Sequence, residues 1–214
     1  MRFDKLVQAV GAFVCFDLNT VRTLFPEDAD SAPVQLYRWR RAGKVVELRR
    51  GLYALAQPYR KVPLHGPAVA GYIYHPSYLS LEWALSFHGL VPEKAGVFTS
   101  VTTRERRTFR NSLGQFTYRT VRPELFFGHA MHRVMGAEVR MATPEKALVD
   151  YWYLSTGEWT VTRMESMRFD PAALGDEDSL QGCVDAVGRP RVSRALAAWR
   201  EYAQSASAHE EIVG

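Results

Sequence analysis

The sequence predicts an α+β protein in two parts: a small N-terminal unit of helices closed by a basic hairpin, and a larger mixed α/β domain carrying an antiparallel sheet. Three observations lead there. Apolar residues recur at helical spacing as far as Gly43, and two short runs of strand formers then flank Arg50-Gly51. Further on, the alternating runs VFTSVTTRERRTFRN and GQFTYRTV give way to a well-capped helix at ATPEKALVDYWYL. With 214 residues and 47% hydrophobic content, the chain can fill a sizeable core.

The elements come in order. FDKLVQAV puts Phe3, Leu6, Val7 and Val10 on one face of a helix that ends at Gly11. AFVCF is short and rich in strand formers, so it is either a small strand or a buried link. Asp17 and Asn19 offer capping oxygens to NTVRTLF, which stops at Pro26. After the turn residues PEDADSAP, Ser31 caps PVQLYRWRRAG. Pro33 lies in its first turn, where a missing N–H costs nothing, and Gly43 ends it. KVVELRRGLYALA reads as a hairpin with a positive-φ glycine at its tip. Helix, short helix, helix and basic hairpin over residues 1–60 is the order of a winged helix-turn-helix, and QPYRKVPLHGP is a linker.

The second domain is expected over residues 64–204. PAVAGYIY and SLEWALSFHGL have helical spacing, the latter with Leu81, Ala84, Leu85 and His88 on one face. The two alternating runs joined through SLG read as antiparallel strands. EVRMATPEKALVDYWYL passes from strand to helix, with Thr143 as N-cap, Pro144 at the first position and Glu145 in the first turn. Two further helices are expected at SLQGCVDAV and PRVSRALAAWREYA, and residues 205–214 read as a flexible tail.

Composition narrows the function. The longest apolar runs fall far short of the ~20 residues a membrane span needs, and the N-terminus lacks a signal-peptide pattern. The expected setting is cytoplasmic, with no membrane partner. Cys15 and Cys183 lie in unrelated contexts, so neither a disulfide framework nor a zinc site is expected, and nothing calls for a cofactor. The formal charge of +4 conceals a polarised chain. Met1 to Pro63 holds 11 Lys/Arg against 6 Asp/Glu, Arg104 to Arg140 holds 8 against 3, and Met141 to Gly214 holds 7 against 12. Two basic zones and an acidic C-terminal third bear on partners, not on fold.

In the third helix, Leu36 and Trp39 fall on the core side with the Arg40 stem beside them. Gln35, Arg38 and Arg41 face away, with Tyr37 at the margin. Arg donates a bidentate pair to guanine and Gln does the same for adenine, so this face can read duplex DNA. Lys44, Arg49 and Arg50 stand where phosphates pass the helix end and the hairpin. The competing view is an ordinary solvated helix face.

Enzyme readings are weaker. Asp176 and Asp178 form the Asp-x-Asp pair of a nucleotidyltransferase, but no Gly-Ser phosphate turn lies upstream, and GDEDS reads as a solvated loop. His129 and His132 have ligand-like spacing with no third ligand at zinc-site distance. Glu145, Lys146 and Asp150 invite a nuclease reading. Adjacent helical residues point about 100° apart, however, and a capped helix start accounts for them. No GxSxG elbow is present.

RRAGKVVELRRGLYAL, YLSLEWALSFHGLVPE, VFTSVTTRERRTFRNSLGQFTYRTVRPELFFG and MATPEKALVDYWYL together resemble the AbiE-type antitoxin family of transcriptional regulators, over roughly residues 1 to 155. The resemblance implies a non-enzymatic antitoxin of a type IV toxin-antitoxin, phage-abortive system. Such a protein represses its own operon by binding inverted repeats in promoter DNA, as a monomer on paired half-sites, and neutralises a cognate nucleotidyltransferase toxin. The DNA-reading role would fall on Gln35, Arg38 and Arg41, and the phosphate role on Lys44, Arg49 and Arg50. The second basic zone, Arg104, Arg106, Arg107, Arg110, Arg119 and Arg122, would extend the DNA track, meet the toxin, or form a plain exposed sheet face. The alternative is a stand-alone winged-helix regulator whose C-terminal domain binds a ligand or dimerises.

Overall fold

The computed structural model describes residues 1–213, with side chains through Ala206. The first helix, α1 (Phe3–Val10), buries Leu6 and Val10. AFVCF resolves into a short strand, β1 (Phe16–Asp17). Asp17 then caps α2 (Leu18–Leu24), its Oδ1 accepting from both the backbone N–H and the hydroxyl of Thr20 at 2.7 Å. Pro26 opens a single 3-10 turn, and α3 (Ala32–Arg41) comes next with Ala32 and Leu36 buried. Ser31 does not cap α3 as its sequence position suggests: its hydroxyl turns back to the Asp28 carbonyl at 3.1 Å. The far end closes through left-handed Gly43 (φ +68°), which brings the Lys44 N–H to the Trp39 carbonyl at 2.9 Å.

Two strands complete this unit, β2 (Val45–Arg49) and β3 (Leu52–Leu55). With β1 they form an antiparallel sheet of order β1-β3-β2. Glu47 pairs with Tyr53 and Arg49 with Leu52, so Leu48 is an extra residue, a β-bulge. The sheet is apolar on both faces. Val45 and Leu55 pack with Leu6, Val10 and Leu36 of the helices, while Leu48, Leu52 and Ala54 are buried in the core of the second domain. The helices and hairpin are therefore joined to the second domain by a shared core.

The second domain runs α4 (Gly66–Ile73), β4 (Ser77–Leu79), α5 (Leu81–Phe87), β5 (Phe98–Thr102), β6 (Arg107–Asn111), β7 (Gly114–Thr120), β8 (His129–Val134), β9 (Ala137–Ala142) and α6 (Pro144–Leu154). Its sheet has six strands in the order β6-β7-β5-β4-β9-β8. The expected antiparallel sheet is mixed instead. β5 pairs parallel to β7 and β4 parallel to β9. The reason lies in VFTSVTTRERRTFRN, which breaks into β5 and β6. These two do not pair, because β7 folds back from β6 and inserts between them. Near the C-terminus come α7 (Val161–Ser166), α8 (Glu177–Val187) and α9 (Pro190–Val213), the last running through the stretch expected to be a tail. Gly214 and the side chains beyond Ala206 lie outside the described residues.

α6 is buried along most of its length. Thr143 Oγ1 accepts from the Lys146 N–H at 3.3 Å, as the sequence predicts of a cap. Trp152 is wholly buried, with its ring 5.9 Å from that of Trp199 on α9. One turn apart, Lys146 and Asp150 form an ion pair excluded from water, at 0% and 3% side-chain exposure. The pair takes further hydrogen bonds from β4 and its C-terminal neighbour. Tyr78 accepts from Lys146 Nζ and donates to Asp150 Oδ2, both at 2.9 Å, and Ser80 donates to Oδ2 at 2.8 Å. Phe127 covers the ammonium at 4.8 Å. Gly128 (φ +66°) lies so close to the lysine stem that an added Cβ would meet Lys146 Cγ at 2.9 Å.

Lys146→Ala leaves Asp150 buried without its cation and is expected to cost about 3–5 kcal/mol, read by urea unfolding. Lys146→Met combined with Asp150→Leu removes both charges and is expected to recover much of that loss. At the other end of the chain, Thr20 holds the Asp17 carboxyl below the usual carboxylate range. Its contribution is fully present above the ordinary carboxylate pKa and is lost as pH falls through the lowered one. Asp17→Ala is expected to cost about 1 kcal/mol at neutral pH. Its deficit relative to wild type should close in acid, as followed by thermal unfolding across pH.

Candidate nucleic-acid interface

The outward side of α3 divides its cations by what surrounds them. Arg40 pairs with Glu47 on β2, because the strand face turned toward α3 carries that carboxylate, so Arg40 is neutralised at the surface and is not a stem within the core. Arg38 and Arg41 are exposed, and their guanidiniums have no ion pair or hydrogen bond among the described residues. Tyr37 is 55% exposed, with the Arg40 guanidinium 5.4 Å from its ring centre. Gln35 is not the free reader its position suggests. It is half-buried, its amide held between the Ser31 hydroxyl at 2.8 Å and the backbone of Met1. The start of the chain folds over that end of α3, where the Met1 amino group also pairs with Asp28.

The helix end and hairpin bring three more cations. Lys44 is half-buried, with Nζ 4.9 Å above the Phe3 ring. Arg50 projects at the hairpin tip, exposed and without a side-chain partner among the described residues, beside left-handed Gly51 (φ +77°). Arg49 points back toward the second domain. Its Nε donates to the Ile73 carbonyl at 2.7 Å and its Nη1 to the Arg50 carbonyl at 3.1 Å. Asn111 on β6 donates to the Leu48 carbonyl at 2.9 Å, fastening the hairpin from the other side.

This docking joins parts of the two basic zones. A groove of about 680 Å³ opens between hairpin and β6, lined by Arg49 and Arg50 on one side and Arg104, Arg107 and Arg110 on the other. Arg107 sits opposite Tyr118 and Arg110 opposite Gln115, so alternation places them on different faces of β6. Both reach the groove because β6 is the edge of the sheet. The rest of the zone is scattered. Arg119 lines a different hollow with Glu82 and donates to the Leu154 carbonyl at 2.7 Å. Arg122 lies 3.9 Å from the Glu124 carboxylate, and Arg106 is exposed without a side-chain partner among the described residues.

The residues weighed for catalysis and metal binding have other surroundings. Asp176 caps α8, accepting from the Asp178 and Ser179 N–H groups at 3.1 and 3.2 Å. His129 and His132 lie three apart on β8 and part company: the first packs on Tyr78, the second against His88. Among the described residues no group of three or more His, Cys, Asp and Glu is arranged to hold a metal ion. Cys15 and Cys183 are free thiols, and burial pushes that of Cys15 up to about 12. Among the described residues no helix is long and apolar enough to cross a membrane. No protein-family model matches the chain, and no curated protein does.

Proposed function

We propose that the chain is a winged-helix regulator that binds duplex DNA in its own promoter and represses transcription from it. The observation that carries this reading is the pair of exposed guanidiniums of Arg38 and Arg41 on α3, unpaired among the described residues, next to a hairpin whose tip presents Arg50. An α-helix fits the major groove, and each arginine can there make a bidentate contact to guanine. Arg50 and Lys44 meet the backbone on either side and set the register without reading sequence. Tyr37 stands at the edge of the reading face.

The same proposal assigns the chain to the antitoxins of type IV systems, opposite a nucleotidyltransferase toxin and without an enzymatic activity of its own. Its support is the resemblance of the SLEWALSFHGL helix, the strand runs and the ATPEKALVD join. A stand-alone regulator with a ligand-binding second domain is the other reading, and the groove beside the hairpin favours it.

A gel shift on the upstream promoter tests the first part. Arg38→Ala with Arg41→Ala is expected to weaken specific binding by about 10- to 100-fold, since a good bidentate contact is worth about 1–3 kcal/mol. Unchanged specific binding would remove α3 from the interface. For the antitoxin part, co-expression with a nucleotidyltransferase encoded beside this gene should restore growth; failure to do so leaves the stand-alone regulator.

A further inference from the structure

The groove between hairpin and β6 has three properties that a solvated arginine cluster does not need. Three of its five guanidiniums are fixed by neutral acceptors. Arg49 donates to the Ile73 carbonyl, Arg104 to the His75 carbonyl at 3.2 Å while lying 4.5 Å from the Tyr74 ring centre, and Arg110 to the Gln115 side-chain oxygen at 2.8 Å. Carbonyl and amide oxygens orient a guanidinium without cancelling its charge. Among the described lining cations only Arg107 has a carboxylate within ion-pair distance, Glu105 at 3.6 Å, and both side chains are largely exposed, so screening leaves little of that attraction; the Asp17 carboxylate acts on Arg49 only at longer range.

The second property is aromatic surface: the half-buried Phe109 ring and the exposed Tyr72 ring line the groove among the cations, while Leu48 and Ile73 in the same wall are fully buried. The third is size. At about 680 Å³ it falls within the ~300–1,000 Å³ range of small-ligand pockets. Like charges gathered at one opening repel one another, and a bound polyanion relieves that cost. A DNA duplex is convex and polar, so it would touch the cations and leave the two rings uncovered. A compact ligand with linked phosphates and a flat ring meets both.

We propose that this groove binds a nucleoside polyphosphate, its phosphates on Arg49, Arg50, Arg104 and Arg110 and its base against the Phe109 and Tyr72 rings. The site stands on the groove's own geometry. Its consequence rests on the DNA-binding reading: Arg49 and Arg50 belong to the hairpin, so a nucleotide and promoter phosphates compete for them.

Calorimetric titration of the full chain with ATP, and separately with inorganic tripolyphosphate, at fixed salt and without DNA tests the site. ATP is expected to saturate at one site and to bind about tenfold tighter than tripolyphosphate, the margin being supplied by the base. Arg104→Gln with Arg110→Gln should weaken ATP by at least about tenfold, the scale of a lost charge-assisted hydrogen bond. Arg38→Ala with Arg41→Ala should leave ATP binding unchanged. Should the groove variant lose cooperative unfolding, Arg50→Gln carries the same test, because that side chain has no partner among the described residues. Absence of saturable ATP binding overturns the proposal, as does an equal loss in the α3 variant. Equal affinity for tripolyphosphate overturns the nucleoside assignment. If ATP does not saturate while the groove variant lowers promoter affinity and flattens its salt dependence, the groove is a DNA phosphate track and the proposal falls.

Discussion

Lys146 and Asp150 face each other one helical turn apart, both side chains buried. Each is tolerable inside only because the other is there, and because Tyr78 and Ser80 add hydrogen bonds to the pair. That requirement fixes α6 against β4, the strand that pairs with β5 on one side and β9 on the other. The sheet grows outward from there to β6, so the edge against which the hairpin docks is ultimately held by this pair. Gly128 answers the same constraint, since only a residue without a side chain lets the backbone pass the lysine stem.

A second constraint comes from the hairpin. Its bulge at Leu48 leaves one residue without a ladder partner and sets that residue in the core of the second domain. Arg49 and Asn111 then tie the hairpin at both sides with bonds to backbone carbonyls. Cations carried by separate stretches of sequence thereby come to share one opening.

The local rules in the chain were readable residue by residue. Asp17, Gly43 and Thr143 mark helix ends because capping chemistry is local and leaves little choice. The exposure of Arg38 and Arg41 is a matter of helical periodicity alone. What escaped depends on distant partners. β4 is three residues long and buried throughout, too short for a period to show. The insertion of β7 between β5 and β6 is a matter of topology, invisible to alternation. The i, i+4 spacing of Lys146 and Asp150 was on view, but charge at that spacing ordinarily marks an exposed helix face. Gln35 had the right periodicity for a reader, and only the path of the first residues shows that it is engaged. The groove, with Tyr72 and Tyr74 at its side, has no signature in any single segment.

Because the hairpin sheet is apolar on both faces, the link between it and α4 is not a seam. A fragment ending within the Pro58–Leu64 stretch would carry helices and hairpin intact yet display Leu48, Leu52 and Ala54 to solvent. The remainder would be left with a matching bare surface. Two sticky halves would replace one closed whole. Exchange of this N-terminal unit between related chains therefore has to bring along the surface it rests on, which makes hairpin and sheet edge a single inherited part.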